Sequence, residues 1–140
     1  MNLKLITLSG IMMDTEVYQV NIPTPLGEIG VFPDHEALVT LAVPGMLKIS
    51  YRKDANNPQV DLFAISGGVV EIANNEIKIL VDDAESDETI TEDESRAALE
   101  RAIKMRDEAD SVVELEKAHE LINKQRIKLK VAELKRRKKY

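Results

Sequence analysis

The chain has 140 residues, 44% hydrophobic and 31% charged, which predicts a folded protein of one ordinary domain or two small ones. It lacks cysteine and tryptophan and has only 4% aromatics. That excludes disulfides, thiol nucleophiles, thiolate metal sites and a base-stacking nucleic-acid surface, and no cysteine fits a cytosolic address. No apolar run approaches the roughly 20 residues of a membrane-spanning helix, so direct membrane insertion is not expected.

The opening run Met1 to Leu8 alternates polar and apolar residues and stops at Gly10. It is too short for a signal peptide and lacks the arginine-rich character of a transit peptide. Tyr18, Val20 and Ile22 mark a strand that Pro23 and Pro25 are expected to end. Leu47 to Arg52 has a period of two, Val60 to Ile65 is rich in β-formers, and Val69 to Ile72 follows Gly67-Gly68. Glu76 to Val81 alternates again, and Asn74-Asn75 before it suits a tight hairpin because Asn tolerates positive φ. Short strands over about 80 residues, with no helical pattern between them, predict an antiparallel β-sandwich or flattened barrel. A parallel βαβ sheet is not expected.

The period changes after Val81. Residues 82–94 read as an acidic linker and helix start, and residues 92–140 contain no Gly or Pro. Ser95, Ala98, Ala102, Met105, Ala109 and Val112 step by three and four, widened by Leu99 and Ile103. Leu115, Ala118, Ile122, Gln125, Leu129 and Ala132 form a second such stripe. Asp110 or Ser111 is placed to cap a second helix, with Glu114 reaching back. The reading is an α+β chain: a β-sandwich domain over 1–84, then an antiparallel two-helix hairpin over 85–140. One continuous helix through Asp110 remains an alternative. Net charge supports the hairpin: residues 1–84 carry −6, residues 85–120 carry −8 and residues 121–140 carry +8. Folding back sets the basic end beside the acidic start, although exposed pairs contribute only about 0–1 kcal/mol each.

The most specific segment is Pro25-Leu26-Gly27-Glu28-Ile29-Gly30-Val31-Phe32-Pro33-Asp34-His35, continued by Val43-Pro44-Gly45-Met46-Leu47. With Ser66-Gly67-Gly68-Val69-Val70-Glu71, it closely resembles the signature of the ATP synthase epsilon family, of bacterial type. The likeness is strong over residues 25–85 and looser in the helices. Asp34 departs from the glycine that many members carry before the histidine, a matter of turn geometry. The resemblance implies a noncatalytic rotor subunit of a proton-translocating F-type ATP synthase. Its sandwich would join the gamma subunit to the membrane c-ring, and its helices would restrain ATP hydrolysis. The implied address is peripheral, on the cytoplasmic face of a bacterial plasma membrane, with a chloroplast-encoded subunit as the alternative.

Glu28, in a Pro- and Gly-framed loop with no evident local partner, is implied as a c-ring contact, with His35 beside it in the motif. Arg126, Lys128, Lys130, Lys135, Arg136 and Arg137 are implied to meet the alpha and beta subunits of the catalytic head when the helices extend. Some members bind ATP through an aliphatic-Asp-x-x-Arg-Ala motif. Here Asp93, Arg96 and Ala97 fit it, but Glu92 replaces the aliphatic residue, and an ungapped alignment sets Thr91 and Glu94 there instead. Arg101 lies nearby, and Lys124 and Lys128 stand where second-helix arginines would hold phosphate. Lysine lacks the bidentate fork, so no cofactor and at most weak regulatory ATP binding are expected.

Residues alone argue against catalysis. Asp34-His35-Glu36 and Asp82-Asp83 are adjacent residues that point apart, His119 sits at a helix rim, and Ser66-Gly67-Gly68 lacks a P-loop lysine. The competing reading is a freestanding binding module with a basic helical arm ending in Lys135-Arg136-Arg137-Lys138-Lys139.

Overall fold

The computed structural model describes residues 1–52, 56 and 59–138. Lys139 of the basic arm lies outside the described residues, as does the side chain of Lys138. The chain divides into two compact units, Met1–Ser86 and Asp87–Tyr140.

The first unit holds β1 (Asn2–Thr7), β2 (Gly10–Glu16), β3 (Gln19–Thr24), β4 (Gly27–Val31), β5 (Leu38–Ala42), β6 (Gly45–Ser50), β7 (Val60–Ile65), β8 (Gly68–Ala73), β9 (Glu76–Val81) and β10 (Ala84–Ser86). They form two five-stranded sheets, β2-β1-β9-β8-β5 and β10-β7-β6-β3-β4, each with two edge strands. It is therefore an open sandwich and not a closed barrel. Alternation does the rest: Leu3 and Leu5, Val20 and Ile22, Leu47 and Ile49, Val70 and Ile72, and Ile77 and Ile79 point inward and are buried.

Four features depart from the sequence expectation. β1 runs parallel to β9, with Asn2 opposite Glu76, in otherwise antiparallel sheets. No crossover helix is needed, because seven strands lie between them. Pro23 sits inside β3 and does not end it. The pairing of β3 with β6 stops at Asn21, so the missing proline N–H falls beyond that ladder, and the Pro23 carbonyl accepts from Val43 N instead. β10 pairs Ala84 with Ile65 and Ser86 with Phe63, carrying the sheet past residue 84. Finally, β2 forms although its outer residues are mostly exposed.

The motif residues shape corners. Asn74 (φ 51°) and Asn75 (φ 59°) form the two-residue β8–β9 hairpin that their chemistry predicts. At Gly68, an added Cβ would lie 1.9 Å from the Leu80 carbonyl oxygen, so only glycine lets β8 start against β9. Just past β6, the Tyr51 hydroxyl donates to Asp61 Oδ2 at 2.7 Å and lies 3.7 Å from Met13 Sδ on the other sheet. Burial, then the Asp61 carboxylate, raises the Tyr51 pKa well above the ordinary tyrosine value.

The second unit is a helix pair, α1 (Glu92–Asp107) and α2 (Val112–Lys138), so the continuous helix is excluded. Ser111 Oγ caps α2 by accepting from Glu114 N at 3.2 Å, and Glu114 Oε2 reaches back one residue further, accepting from Asp110 N at 3.0 Å, a variant of the capping box. The seam is narrower than the two expected stripes. Ser95, Ala102, Ala118, Ile122 and Val131 are buried, whereas Met105, Val112 and Leu115 are exposed. Val131 was not on the expected stripe, because over so long a helix a strict three-four spacing drifts off the facing line.

Candidate functional site

Register across the first sheet sets five apolar residues in line on its outer face. Leu41 of β5 lies opposite Val69 of β8, Val69 opposite Leu80 of β9, Leu80 beside Ile6 of β1, and Ile6 opposite Ile11 of β2. Leu41, Val69, Leu80 and Ile11 are 43% to 63% exposed. The neighbouring row starts with exposed Val39 and continues through Glu71, Lys78, Lys4 and Asp14. An apolar strip flanked by mixed charge has the anatomy of a protein-docking face.

The second feature is the β3–β4 hairpin. Gly27 takes φ 113°, which glycine alone adopts without strain, and the Thr24 hydroxyl donates to the Gly27 carbonyl. Leu26 at the tip is fully exposed. Glu28 lies on strand β4 and not in a loop, and it has a local partner after all: Asn21 Nδ2 donates to its Oε1 at 3.0 Å. Asn21 Oδ1 in turn accepts from Gln19 Nε2 at 2.9 Å. Sequence reasoning missed Asn21 and Gln19, although a polar i, i+2 pair on a strand facing the motif was the available signal.

His35 lies in the β4–β5 connection, where its Nδ1 donates to the Glu36 carbonyl at 2.7 Å. Asp34 before it has φ 64° and donates its N–H to Asn75 Oδ1, so it fills the left-handed place where a glycine would serve. Contacts of Glu28 and of His35 lead to other residues and do not join the two. Asp83 is tied back to Ser66 through N to Oγ at 2.8 Å, and Ser66-Gly67-Gly68 leads into strand β8, with no helix N-terminus for phosphate. A cavity of about 110 Å³ is lined by Glu71, Ala73, Asn74, Glu76 and Lys78, and Glu76 forms ion pairs with Lys4 (3.6 Å) and Lys78 (3.9 Å). Among the described residues, no group of three or more His, Asp or Glu could hold a metal ion.

In the helix pair, the basic end of α2 meets the acidic start of α1. Arg136 Nη1 lies 3.2 Å from both carboxylate oxygens of Glu92, and Lys135 Nζ donates to the Asp87 carbonyl at 3.0 Å. Arg137 pairs with Glu133 at 2.7 Å, one turn back on its own helix. Arg126 and Lys130 are exposed and Lys128 is half-buried. Of the nucleotide candidates, Arg96 turns to Glu92 at 2.9 Å, and Asp93, Arg101 and Lys124 are exposed. Glu92, which replaces the aliphatic motif residue, therefore sits between Arg96 and Arg136. Its i, i+4 spacing to Arg96 was legible in the sequence; its pairing with Arg136 was not.

A sequence model described as the beta-sandwich domain of the ATP synthase Delta/Epsilon chain matches residues 1–87. The chain is also 38% identical over 102 residues to the chloroplastic ATP synthase epsilon chain of Citrus sinensis, covering 73% of each chain. The chain belongs to the ATP synthase epsilon chain family. The corresponding Cucumis sativus chain is 39% identical over the same length and share. Among solved structures, the fold is similar to a chain in the Euglena gracilis mitochondrial ATP synthase (OSCP/F1/c-ring), with TM-score 0.75, 24% identity, and 86% of this chain and 74% of that one covered. It is also similar to one in the Tetrahymena thermophila mitochondrial ATP synthase central stalk and c-ring, with TM-score 0.62, 18% identity, and 94% and 95% covered. Membership of the epsilon family makes the chain a noncatalytic subunit of ATP synthase and not an enzyme in itself. These relatives are chloroplastic by name and the structural neighbours mitochondrial, so the likenesses establish the family and not the bacterial type.

Proposed function

We propose that the chain is the central-stalk subunit of a proton-translocating F-type ATP synthase, coupling the gamma subunit to the c-ring and restraining ATP hydrolysis through its helix pair. The observation that carries this reading is the five-residue apolar strip across the first sheet, which suits a permanent subunit contact; we assign it to gamma. The β3–β4 hairpin, with exposed Glu28, suits the polar loops of the c-ring, and His35 lies in the next connection. When the helices extend, Arg126, Lys128, Lys130, Lys135, Arg136 and Arg137 meet acidic segments of the alpha and beta subunits. Arg136 serves Glu92 in the hairpin and cannot serve a head carboxylate at the same time, so the two states exclude each other. ATP binds weakly or not at all, since Lys124 and Lys128 offer point charges and Arg96 is engaged by Glu92. The address is the cytoplasmic face of a bacterial plasma membrane or, given the chloroplastic kin, the equivalent face of a chloroplast membrane. No helix among the described residues is long and apolar enough to cross a membrane.

Leu41→Glu with Val69→Glu tests the strip. Both side chains are exposed, so thermal unfolding stays within a few degrees of the parent, while co-purification with the gamma subunit falls at least about tenfold through charge burial. Undiminished complex formation overturns the assignment, and failure of the parent chain to bind gamma favours the freestanding module.

A further inference from the structure

We infer that Asn21, itself oriented by Gln19, is a positioning residue that holds the Glu28 carboxylate ready for a hydrogen-bond donor on the c-ring. The inference rests on the c-ring role proposed for Glu28 and deepens it.

Register explains the geometry. Asn21 lies opposite Gly30, and Pro23 lies opposite Glu28, so Asn21 and Glu28 are diagonal neighbours on one face of the β3–β4 pair. Such diagonals are bridged only by side chains long enough to lean along the strands, and only when the residue directly opposite leaves room. Gly30 leaves that room. A Cβ there would lie 3.5 Å from the Phe32 ring, 3.8 Å from Gln19 Nε2 and 3.9 Å from Asn21 Nδ2. The side chains are thus drawn over the glycine, where a methyl group fits and a branched side chain does not. This gives a spatial reason for a motif glycine whose φ is not in the left-handed region.

Direction follows from the donor and acceptor inventory. A carboxylate only accepts, so it must face the amide nitrogen of Asn21 and not its oxygen. Gln19 enforces that choice by donating to Asn21 Oδ1 at 2.9 Å, which leaves Nδ2 for Glu28 at 3.0 Å. Among the described residues, Oε1 is engaged and Oε2 is open to a partner. The arrangement supplies no charge of its own; it removes side-chain freedom that binding would otherwise have to remove. It fits a partner group that donates, such as a lysine, an arginine, a side-chain amide or a backbone N–H, and it rejects another carboxylate.

The experiment uses the full chain assembled with gamma, bound to detergent-solubilised c-rings, with association and dissociation rates read at several salt concentrations. Asn21→Leu keeps size and net charge but loses the donor. It raises the dissociation rate about fivefold, the worth of one such bond, and leaves the salt dependence of association unchanged. Glu28→Gln flattens that salt dependence and also speeds dissociation. In a Glu28→Ala background, which removes the acceptor, Asn21→Leu adds little, because the two act as one unit. In the free chain, Glu28→Gln shifts the Asn21 side-chain amide resonances. Dissociation unchanged by Asn21→Leu, or an Asn21→Leu effect fully additive with Glu28→Ala, overturns the positioning role alone. Glu28→Gln binding like the parent overturns the c-ring role beneath it, and with it this inference.

Discussion

The sandwich and the helix pair are held by different forces. In the sandwich, Leu3, Leu5, Val20, Ile22, Val31, Leu47, Ile49, Val70, Ile77 and Ile79 are 0% exposed, an aliphatic core whose stability is nearly indifferent to salt. Among the described residues of the helix pair, the fully or nearly buried apolar ones are Ala102, Ala118, Ile122 and Val131, and two of these are alanines. Partly buried Leu99, Ile103, Ile127 and Leu129 widen that seam, and charge is added at the open end, where Arg136 and Lys135 meet Glu92 and the Asp87 carbonyl. The closure of one unit is thus nearly independent of salt, and that of the other responds to ionic strength and to competing carboxylates. A rigid sandwich carrying a releasable helix pair is the arrangement that the coupling and restraining role proposed above requires.

Breaking the sandwich should be the most costly change. Gly68→Ala forces a Cβ against the Leu80 carbonyl, which neither strand can yield without losing register. We expect a loss of about 3 kcal/mol, read as a lower urea midpoint for the sandwich, at the upper end of overpacking effects. A loss under about 1 kcal/mol would show that β8 and β9 separate more easily than the register implies. Tyr51→Phe is a finer probe of the same unit. Removing the hydroxyl bonded to Asp61 costs about 1 kcal/mol at neutral pH. Because the folded Tyr51 pKa is raised, the unfolded chain loses that proton first. Stability is therefore full below about pH 10 and falls as the pH rises further, and the fall is shallower in Tyr51→Phe. Identical alkaline slopes for parent and variant in urea titrations would remove Tyr51 as the cause.

The smallest energy has the sharpest functional readout. Glu92→Gln weakens the open end of the helix pair by only about 0.5 kcal/mol, and the effect shrinks as salt is added. Yet it shifts the hairpin toward the open form, seen as faster hydrogen exchange in α1 and α2 with the sandwich amides unmoved. In the assembled enzyme it lowers ATP hydrolysis, whereas deletion of residues 121–140 raises it without abolishing assembly. Exchange that rises equally in both units would end the contrast between them. Faster exchange in the helices with hydrolysis unchanged in both variants would leave the contrast standing and remove the restraining role.

Much of this was readable wherever the cause is local. Asn74-Asn75 carries its own turn chemistry, Ser111 and Glu114 carry a cap, and the alternation at Glu76 to Val81 carries a strand. Each needs only neighbours within a few residues. What stayed hidden depends on partners distant in sequence. Pro23 looks like a strand end until the ladder to β6 is known to have stopped before it. Glu28 looks unpartnered until β3 lays Asn21 diagonally across from it. Lys135 and Arg136 look like free charge until the fold-back delivers them to residues 87 and 92. The same holds for the apolar strip, since Leu41, Val69, Leu80, Ile6 and Ile11 are scattered singly along the chain and align only through four strand pairings.

The parallel pairing of β1 with β9 has a consequence for how the protein is made. Of the ten strands β1 is translated first, yet one of its two neighbours, from Glu76 to Leu80, is translated only after six intervening strands beyond β2. At the usual synthesis rates of about 5–20 residues per second, β1 waits several seconds with Leu3 and Leu5 uncovered and one side of its backbone unpaired. The β1–β2 hairpin can form early, but the first sheet can only be stitched together late, through contacts of long sequence separation, which slows folding. Closure of the first sheet therefore waits for the emergence of β9, and the helix pair, which follows the sandwich in the chain, is made only after that sheet can close.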